Sequence, residues 1–203
     1  MNNEQLVQMY DAIRQQPDLL VKAAARKRLI NFARYMQPDL VLEPFHVVYY
    51  TLLDMFAHGK IRKMIVQQPP QHGKSEGSSR KLPAFMEGLN PDLKIVIGSY
   101  AATIARDFNR DVQRIIDTPR YRELFPGTYL NGSNVVTMAN TYLRNSDVIE
   151  MVGRKGSLRV VGRGGSLTSK TVDVSILDDV YKDYAEGNSP IVRAAAWKWY
   201  TTV

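Results

Sequence analysis

Residues 61–75 read Ile61-Arg62-Lys63-Met64-Ile65-Val66-Gln67-Gln68-Pro69-Pro70-Gln71-His72-Gly73-Lys74-Ser75. The apolar run at 61–66 predicts a strand, and the turn after it ends in Gly-Lys-Ser at the start of a helical pattern. Such a turn directs backbone N–H groups, the Lys74 ammonium and the Ser75 hydroxyl at polyphosphate oxygens and their magnesium ion. Gln68 stands where the pattern usually has glycine. The stretch therefore predicts a phosphate-binding loop, with an ordinary basic turn as the alternative.

Composition narrows the class of protein. The chain has 203 residues, of which 44% are hydrophobic and 23% charged, which is typical of a soluble globular protein with one large domain. It contains no cysteine, which excludes disulfides and thiolate metal sites, and its three histidines are too dispersed to indicate a zinc centre. No apolar run is long enough to span a membrane, and the first residues lack the pattern of a secretion signal.

The positive charge is concentrated in two blocks. The formal net charge is +7, and residues 22–35 and 151–170 are both rich in lysine and arginine and free of acids. The first block lies in a helical pattern, and the second is rich in glycine, which suits a loop that approaches phosphate oxygens closely. The blocks favour a polyanionic partner, whereas a basic surface that only aids solubility is the alternative.

Strand and helix patterns alternate along the chain. The predicted helices cover 3–15, 18–36, 44–58, a segment from Lys74, and 101–117, and the predicted strands cover 61–66, 93–97, 134–138, 147–152, 158–161 and 172–177. The helix from Lys74 is expected to kink or end at Pro83, which removes the bond to the carbonyl of Ser79. The pattern predicts an α/β fold in which helices flank a mainly parallel sheet with an antiparallel patch. An N-terminal helical extension, 1–42, would precede a core at 43–203.

A second motif ends the predicted strand at 172–177 in two carboxylates, Asp178 and Asp179. The first can hold the water shell of magnesium opposite Ser75, and the second can polarise an attacking water. Taken alone, two aspartates after a strand are more often a helix cap or a turn. Together with the loop they predict hydrolysis of a nucleoside triphosphate, and the strand at 93–97 indicates the P-loop class that carries an additional strand between the motifs.

The ordered set of motifs resembles the N-terminal ATPase domain of the terminase large subunit, the DNA-packaging motor of tailed bacteriophages. The resemblance covers roughly residues 30–200. It rests on the motifs Pro44-Phe45-His46, the loop at 69–76, Gly98-Ser99-Tyr100, Tyr121-Arg122-Glu123-Leu124-Phe125-Pro126, and the glycine-rich loop 162–168 before Leu177-Asp178-Asp179.

The resemblance implies a role for each matching residue. Lys74 would contact the β- and γ-phosphates of ATP. Ser75 and Asp178 would arrange Mg²⁺, and Asp179 would activate water. The remaining nucleotide contacts would come from the loop and the helix start, at Pro70, Gln71, His72, Gly73 and Glu76. Phe45 and His46 match the place where related motors contact adenine, although a Pro-Phe staple at a helix start is an equal alternative.

Two positions depart from the family pattern. Many relatives have arginine where Gln71 stands, and commonly have glutamate where Asp179 stands. Because aspartate is shorter, Glu186 is a candidate to assist in activating water. Arg163 is the candidate arginine finger that a neighbouring subunit inserts, since phosphoryl transfer needs a cation to neutralise developing charge. A contact of Arg163 with DNA phosphate or solvent is the alternative.

The resemblance also implies partners. They are double-stranded DNA, the portal protein of the procapsid, the small terminase subunit, and further copies of the chain in a ring, a pentamer, on the portal. The host cytoplasm is the expected location, with no membrane partner. The acidic metal cluster of the family's nuclease domain and its coupling strand are not expected here, so no nuclease activity is expected. A helicase-like translocase and a non-hydrolysing nucleotide-binding assembly module remain alternative functions.

Overall fold

The computed structural model describes residues 5, 17–136, 141–166 and 171–202. Except for residue 5, the predicted helix at 3–15 lies outside the described residues, as do 137–138 of a predicted strand and 167–170 of the second basic block. The protein has an α/β fold with a four-stranded mixed sheet flanked by helices, which confirms the predicted fold class at that level.

Three described helices precede the loop: α1 (Pro17–Lys27), α2 (Leu29–Met36) and α3 (Pro44–Ala57). The prediction of one helix over 18–36 is wrong, because Arg28 has an extended backbone that separates α1 from α2. Asp54 of α3 stabilises the break, since its carboxylate accepts from the Leu29 N–H at 2.8 Å and lies 3.1 Å from the Arg28 guanidinium. The helix predicted at 44–58 is confirmed.

The helix after the loop changes its hydrogen-bond register. A π-helix (Glu76–Lys81) continues directly into α4 (Leu82–Leu89), so the helix does not end at Pro83, and the other expected alternative, a kink there, stays a prediction. In the π-helix the Leu82 N–H donates to the carbonyl of Gly77. Pro83 lies in the first turn of α4, directly after this change of register.

The sheet has the strand order β2-β3-β1-β4. Its strands are β1 (Lys94–Ser99), β2 (Val148–Glu150), β3 (Ser157–Gly162) and β4 (Val174–Leu177). β1 is parallel to β3 and β4, and β2 is antiparallel to β3. These strands confirm the predictions at 93–97, 147–152, 158–161 and 172–177.

The strand predicted at 61–66 is wrong. These residues belong to no described strand, and β4 forms one edge of the described sheet. Met64 and Val66 pack against the core while Ile65 is 91% exposed, so side-chain packing rather than a hydrogen-bond ladder explains the alternation. The strand predicted at 134–138 is reduced, within its described part, to an isolated bridge between Val135 and Arg144.

The two faces of the sheet are covered differently. On one face Ile95, Ile97 and Leu158 join the main core, which also contains Ala25, Leu29 and Phe32 of the N-terminal helices. Helices α5 (Ala102–Asp117) and α6 (Pro119–Leu124) pack on this core, and α5 confirms the helix predicted at 101–117. The division of the chain at residues 42 and 43 stays a prediction.

The other face of the sheet carries a smaller apolar cluster. Val96 and Val161 pack there against Trp199 of α8 (Pro190–Thr202), which follows the short helix α7 (Tyr184–Asn188). Among the helices in the described ranges, none combines the length and the apolar character needed to cross a membrane.

Candidate functional site

Lys74 joins the two sequence motifs. Its ammonium lies 2.5 Å from Oδ1 of Asp179 and 3.3 Å from Oδ1 of Asp178. Partial burial lowers the pKa of Lys74, but the hydrogen bond to Asp179 and the charge of Asp178 outweigh burial, so the pKa is raised. The ammonium therefore stays charged. The structure thus brings together the loop cation and both carboxylates.

Both carboxylates are positioned by the parallel pairing of β1 and β4. Asp178 follows β4 directly, is 4% exposed, and donates its N–H to the carbonyl of Gly98 at 2.8 Å. Asp179 has φ +46°, a left-handed conformation that aspartate tolerates better than most residues, and its carbonyl accepts from the Tyr100 N–H at 2.9 Å. The acids therefore lie at the carboxyl ends of parallel strands, where α/β proteins commonly bind ligands.

Ser79 is a site residue that the sequence analysis missed. Its hydroxyl donates to Oδ2 of Asp178 at 2.7 Å, and the side chain is fully buried in the π-helix. Ser75, whose hydroxyl was expected to bind magnesium, is half-buried and lies just before the first residue of that helix. The available sequence signal was Pro83, because a proline removes the α-helical hydrogen bond to the carbonyl four residues earlier, which is that of Ser79.

Tyr49 supports the loop backbone and was also missed. Its hydroxyl donates to the carbonyl of Lys74 at 2.5 Å, and burial raises the pKa of Tyr49 to about 12, so the phenol keeps its proton. A side chain at Gly77 would come within 2.5 Å of the Tyr49 ring.

Gly73 and Gln71 both have positive φ, at 76° and 62°, so the turn requires left-handed backbone on either side of His72.

Phe45, His46 and His72 form a cluster beside the loop. The centroid of the Phe45 ring lies 3.9 Å from that of the His46 ring and 5.7 Å from that of the His72 ring. Nδ1 of His46 accepts from the Glu43 N–H, so Nε2 carries the proton and donates to the His72 carbonyl at 3.2 Å. Nδ1 of His72 donates to the carbonyl of Pro70 at 2.7 Å. His46 therefore both caps α3 and fastens the loop.

Arg163 and Glu186, predicted for separate roles, bind each other. The guanidinium donates to both carboxylate oxygens, at 2.8 and 3.2 Å, and to the Val180 carbonyl at 2.9 Å. The ion pair with Arg163 is the first cause of a lowered pKa at Glu186. The pair connects the end of β3 to the segment after Asp179. Their roles as finger and assisting base stay predictions.

Glu76 turns along its own helix. Its carboxylate lies 3.0 Å from the ammonium of Lys81 and 3.8 Å from Nε of Arg80. The expected contact of Glu76 with a nucleotide stays a prediction. To make it, the carboxylate would have to leave Lys81 and Arg80.

The oxygen atoms near Lys74 suit magnesium. The Asp178 carboxylate and the Ser75 hydroxyl, the predicted pair of ligands, are oxygen donors of the kind that this ion prefers. No group of three or more His, Cys, Asp or Glu side chains in the described parts of the chain is arranged to hold a metal by itself. Magnesium that binds with a nucleotide takes one or two carboxylates and completes its shell with phosphates and water. The donor set therefore fits a nucleotide-bound ion.

The chain was compared with known proteins in three ways. No protein-family model matches it. The curated proteins contain no match, and neither do the solved structures. The residues around Lys74 are therefore the features of this chain that indicate a function.

Proposed function

We propose that this chain is a P-loop ATPase of the additional-strand class that drives double-stranded DNA into a viral procapsid, as the terminase large subunit of tailed bacteriophages does. One observation carries the proposal: Lys74 at the loop meets Asp179, 105 residues later, at the end of a parallel strand. A loop lysine near carboxylates that follow a parallel strand supports the proposal, because P-loop enzymes bind the phosphates with the first and hold magnesium with the second.

Lys74 and the loop would bind the phosphates. A bound triphosphate competes with Asp178 and Asp179 for the ammonium, which then neutralises charge on the transferring oxygens. Tyr49 and His46 hold the loop backbone through its carbonyls, which reduces the reorganisation needed when phosphate binds. Phe45 is 41% exposed beside the loop and offers a face for the adenine.

Asp178 and Asp179 would have different roles in hydrolysis. Magnesium, when bound, neutralises phosphate charge. Asp178 and Ser75 would hold it, with Ser79 fixing the orientation of the Asp178 carboxylate. Asp179 would orient the attacking water and accept its proton. Glu186 assists only after it separates from Arg163, and Arg163 likewise has to leave Glu186 before it can act as a finger in a neighbouring subunit.

The proposed partners follow from the same resemblance. They are double-stranded DNA gripped through its phosphates, the portal protein, the small terminase subunit and further copies of this chain in a ring in the host cytoplasm. The basic blocks support the DNA partner, because a motor that moves along DNA must grip every sequence alike.

The test is the Lys74→Ala variant, with the neighbouring exposed Lys63→Ala as the control for lost charge. We expect phosphate release from ATP to fall at least ~10²-fold in Lys74→Ala, the scale of removing one preorganised charge stabiliser, and to persist in Lys63→Ala. Circular dichroism checks that both variants are folded. Hydrolysis at the wild-type rate by a folded Lys74→Ala variant contradicts the proposal.

Two outcomes distinguish the alternatives. Nucleotide binding without turnover in the wild-type chain favours a non-hydrolysing assembly module. Turnover that DNA stimulates, without any dependence on a procapsid, favours a helicase-like translocase.

A further inference from the structure

A second basic site lies at the opposite end of the sheet from Lys74. It is a cleft of about 410 Å³ lined by Lys94, Glu150, Arg154, Lys155, Ser157 and Arg159, among others. Lys94 and Ser157 begin β1 and β3, whereas Asp178 follows the end of β4, which runs parallel to β1. The cleft therefore lies at the amino ends of the parallel strands and is separate from the Lys74 site.

The strand register places the cations of the cleft on one face of the sheet. Lys94 is paired with Ser157, and Val96 with Arg159, so these four positions share a face. Trp199 packs on this face further along, against Val96. The part of the face nearest the amino ends is therefore polar and charged.

Positive charge in the cleft exceeds negative charge. Four cations and one carboxylate, Glu150, line the cleft, and two more carboxylates, Asp92 and Asp173, contact its backbone. Glu150 already accepts from the Leu143 N–H at 3.0 Å and lies 3.8 Å from Arg159. Within the described part of the chain, Lys94, Arg154 and Lys155 have no ion pair. The four cations outnumber these three carboxylates, so the cleft keeps an excess of positive charge.

The arginines of α5 provide a contrast. Each of them lies 2.7 Å from a carboxylate: Arg106 from Asp147, Arg110 from Asp107 and Arg114 from Asp111. These cations are compensated locally, so basic residues elsewhere on the surface are not equivalent to those of the cleft.

Hydrogen bonds hold the backbone of the cleft. The Lys155 N–H donates to Asp92 at 2.8 Å, and the Lys94 N–H donates to Asp173 at 2.8 Å. Gly156 lies against the turn before β1, so closely that the first carbon of a side chain there would lie 2.1 Å from the carbonyl oxygen of Pro91. Because this backbone is fixed, the positions from which the exposed Arg154 and Lys155 side chains extend are set before an anion binds.

We propose that this cleft is a second anion site, which binds phosphate groups independently of Lys74. Lysine and arginine around a fixed backbone are the groups that recognise phosphate. The phosphates could belong to a nucleic-acid backbone or to a free phosphate compound. Arg154, Lys155 and Arg159 belong to the basic block 151–170, so binding of a nucleic-acid backbone here rests on the proposed function and deepens it. Binding of phosphate as such does not, because the cleft shares no residue with the Lys74 site.

The test uses the Lys74→Ala background, so that the loop contributes as little as possible. In this background the double variant Arg154→Ala with Lys155→Ala is compared with Arg110→Ala with Arg114→Ala, which removes the same charge from compensated pairs. Two probes are titrated separately: a short labelled DNA duplex, followed by anisotropy over a range of salt, and inorganic pyrophosphate, followed by calorimetry. Circular dichroism and thermal melting check the fold of every variant.

We expect the cleft variant to lose affinity at least about tenfold for a probe that the parent binds, and its salt slope for the duplex to fall by about two. The α5 variant should match the parent. Loss for the duplex alone identifies a nucleic-acid backbone as the source of phosphate, and loss for pyrophosphate as well identifies free phosphate compounds too. Equal losses in both double variants, unchanged affinity in the cleft variant, or no binding of either probe by the parent would overturn the proposal.

Discussion

The hydroxyl of Ser79 donates a 2.7 Å hydrogen bond to Oδ2 of Asp178, and both side chains are buried. The other oxygen of Asp178 lies 3.3 Å from the Lys74 ammonium. Ser79 belongs to the π-helix, and π-helical turns are frequent at functional sites. The orientation of the proposed magnesium ligand therefore depends on the helix register that precedes Pro83.

Ser79→Ala should weaken the site without destroying it. The variant loses a hydrogen bond to a charged group, which typically contributes about 1.5–3 kcal/mol, so we expect kcat/KM for magnesium-ATP to fall about 10- to 100-fold. Ser78→Ala is the neighbouring control: the Ser78 hydroxyl donates to the carbonyl of Lys74 and lies 3.3 Å from the Ser79 hydroxyl, whereas only Ser79 of the two donates to Asp178. Steady-state phosphate release measures both variants. Equal effects at the two serines would show that Ser79 does not act through Asp178.

Asp178→Asn and Asp179→Asn should differ in which step they affect. Asp178→Asn should weaken both the binding of magnesium-ATP and its turnover, whereas Asp179→Asn should preserve binding and stop hydrolysis. Asparagine tolerates the left-handed backbone at position 179, so the second variant should keep the local conformation. Isothermal titration and phosphate release separate the two effects. If Asp179→Asn hydrolyses ATP normally and Glu186→Gln does not, Glu186 is the base.

Arg163 and Glu186 should behave as a coupled pair in stability measurements. Because the guanidinium binds both carboxylate oxygens, Arg163→Ala and Glu186→Gln should each lower the melting temperature, and the double variant should lower it by less than the sum. Additive losses would mean that the ion pair contributes nothing in solution.

If Arg163 acts as an arginine finger in a neighbouring subunit, ATP turnover should show effects that the ion pair with Glu186 would not produce. Turnover would depend on protein concentration, and mixtures of wild-type and Arg163→Ala subunits would lose activity out of proportion to the mutant fraction. Turnover that does not depend on concentration and is unchanged in Arg163→Ala rules out the finger.

Glu87 should make the protein less stable as pH rises. Its side chain is fully buried in α4, and neither carboxylate oxygen has a hydrogen-bond partner in the described part of the chain. Burial, with a smaller effect from the charge of Asp92, raises the pKa of Glu87 well above 4.5. The folded state therefore keeps a proton that the unfolded state releases, and stability is lost as pH rises above 4.5.

Glu87→Met tests this dependence with a side chain of similar length. We expect the free energy of unfolding at neutral pH to increase by about 1–3 kcal/mol, because an unpaired polar group leaves the core. The gain should shrink as pH falls towards and below 4.5, where the wild-type carboxyl is protonated in both states. Urea denaturation over this pH range measures it. A gain that does not change with pH would contradict the raised pKa.

Much of the fold could be predicted because it depends on local pattern. The strand at 93–97 and the helix at 101–117 have uninterrupted periods with turn residues at both ends, and the structure confirms them. The stretch at 61–66 has the same local pattern as a strand but makes no described ladder, since pairing requires a neighbouring strand and not only a suitable sequence. The break at Arg28 likewise depends on Asp54, which lies in another helix.

The candidate site divides in the same way. The sequence by itself determined which chemical groups are available: a Gly-Lys-Ser turn and a strand that ends in Asp178 and Asp179. The tertiary structure decided which groups meet. It placed Ser79 on Asp178 and joined Arg163 to Glu186, because those contacts connect segments far apart in the chain, and their geometry follows from the packing of strands and helices rather than from any local pattern.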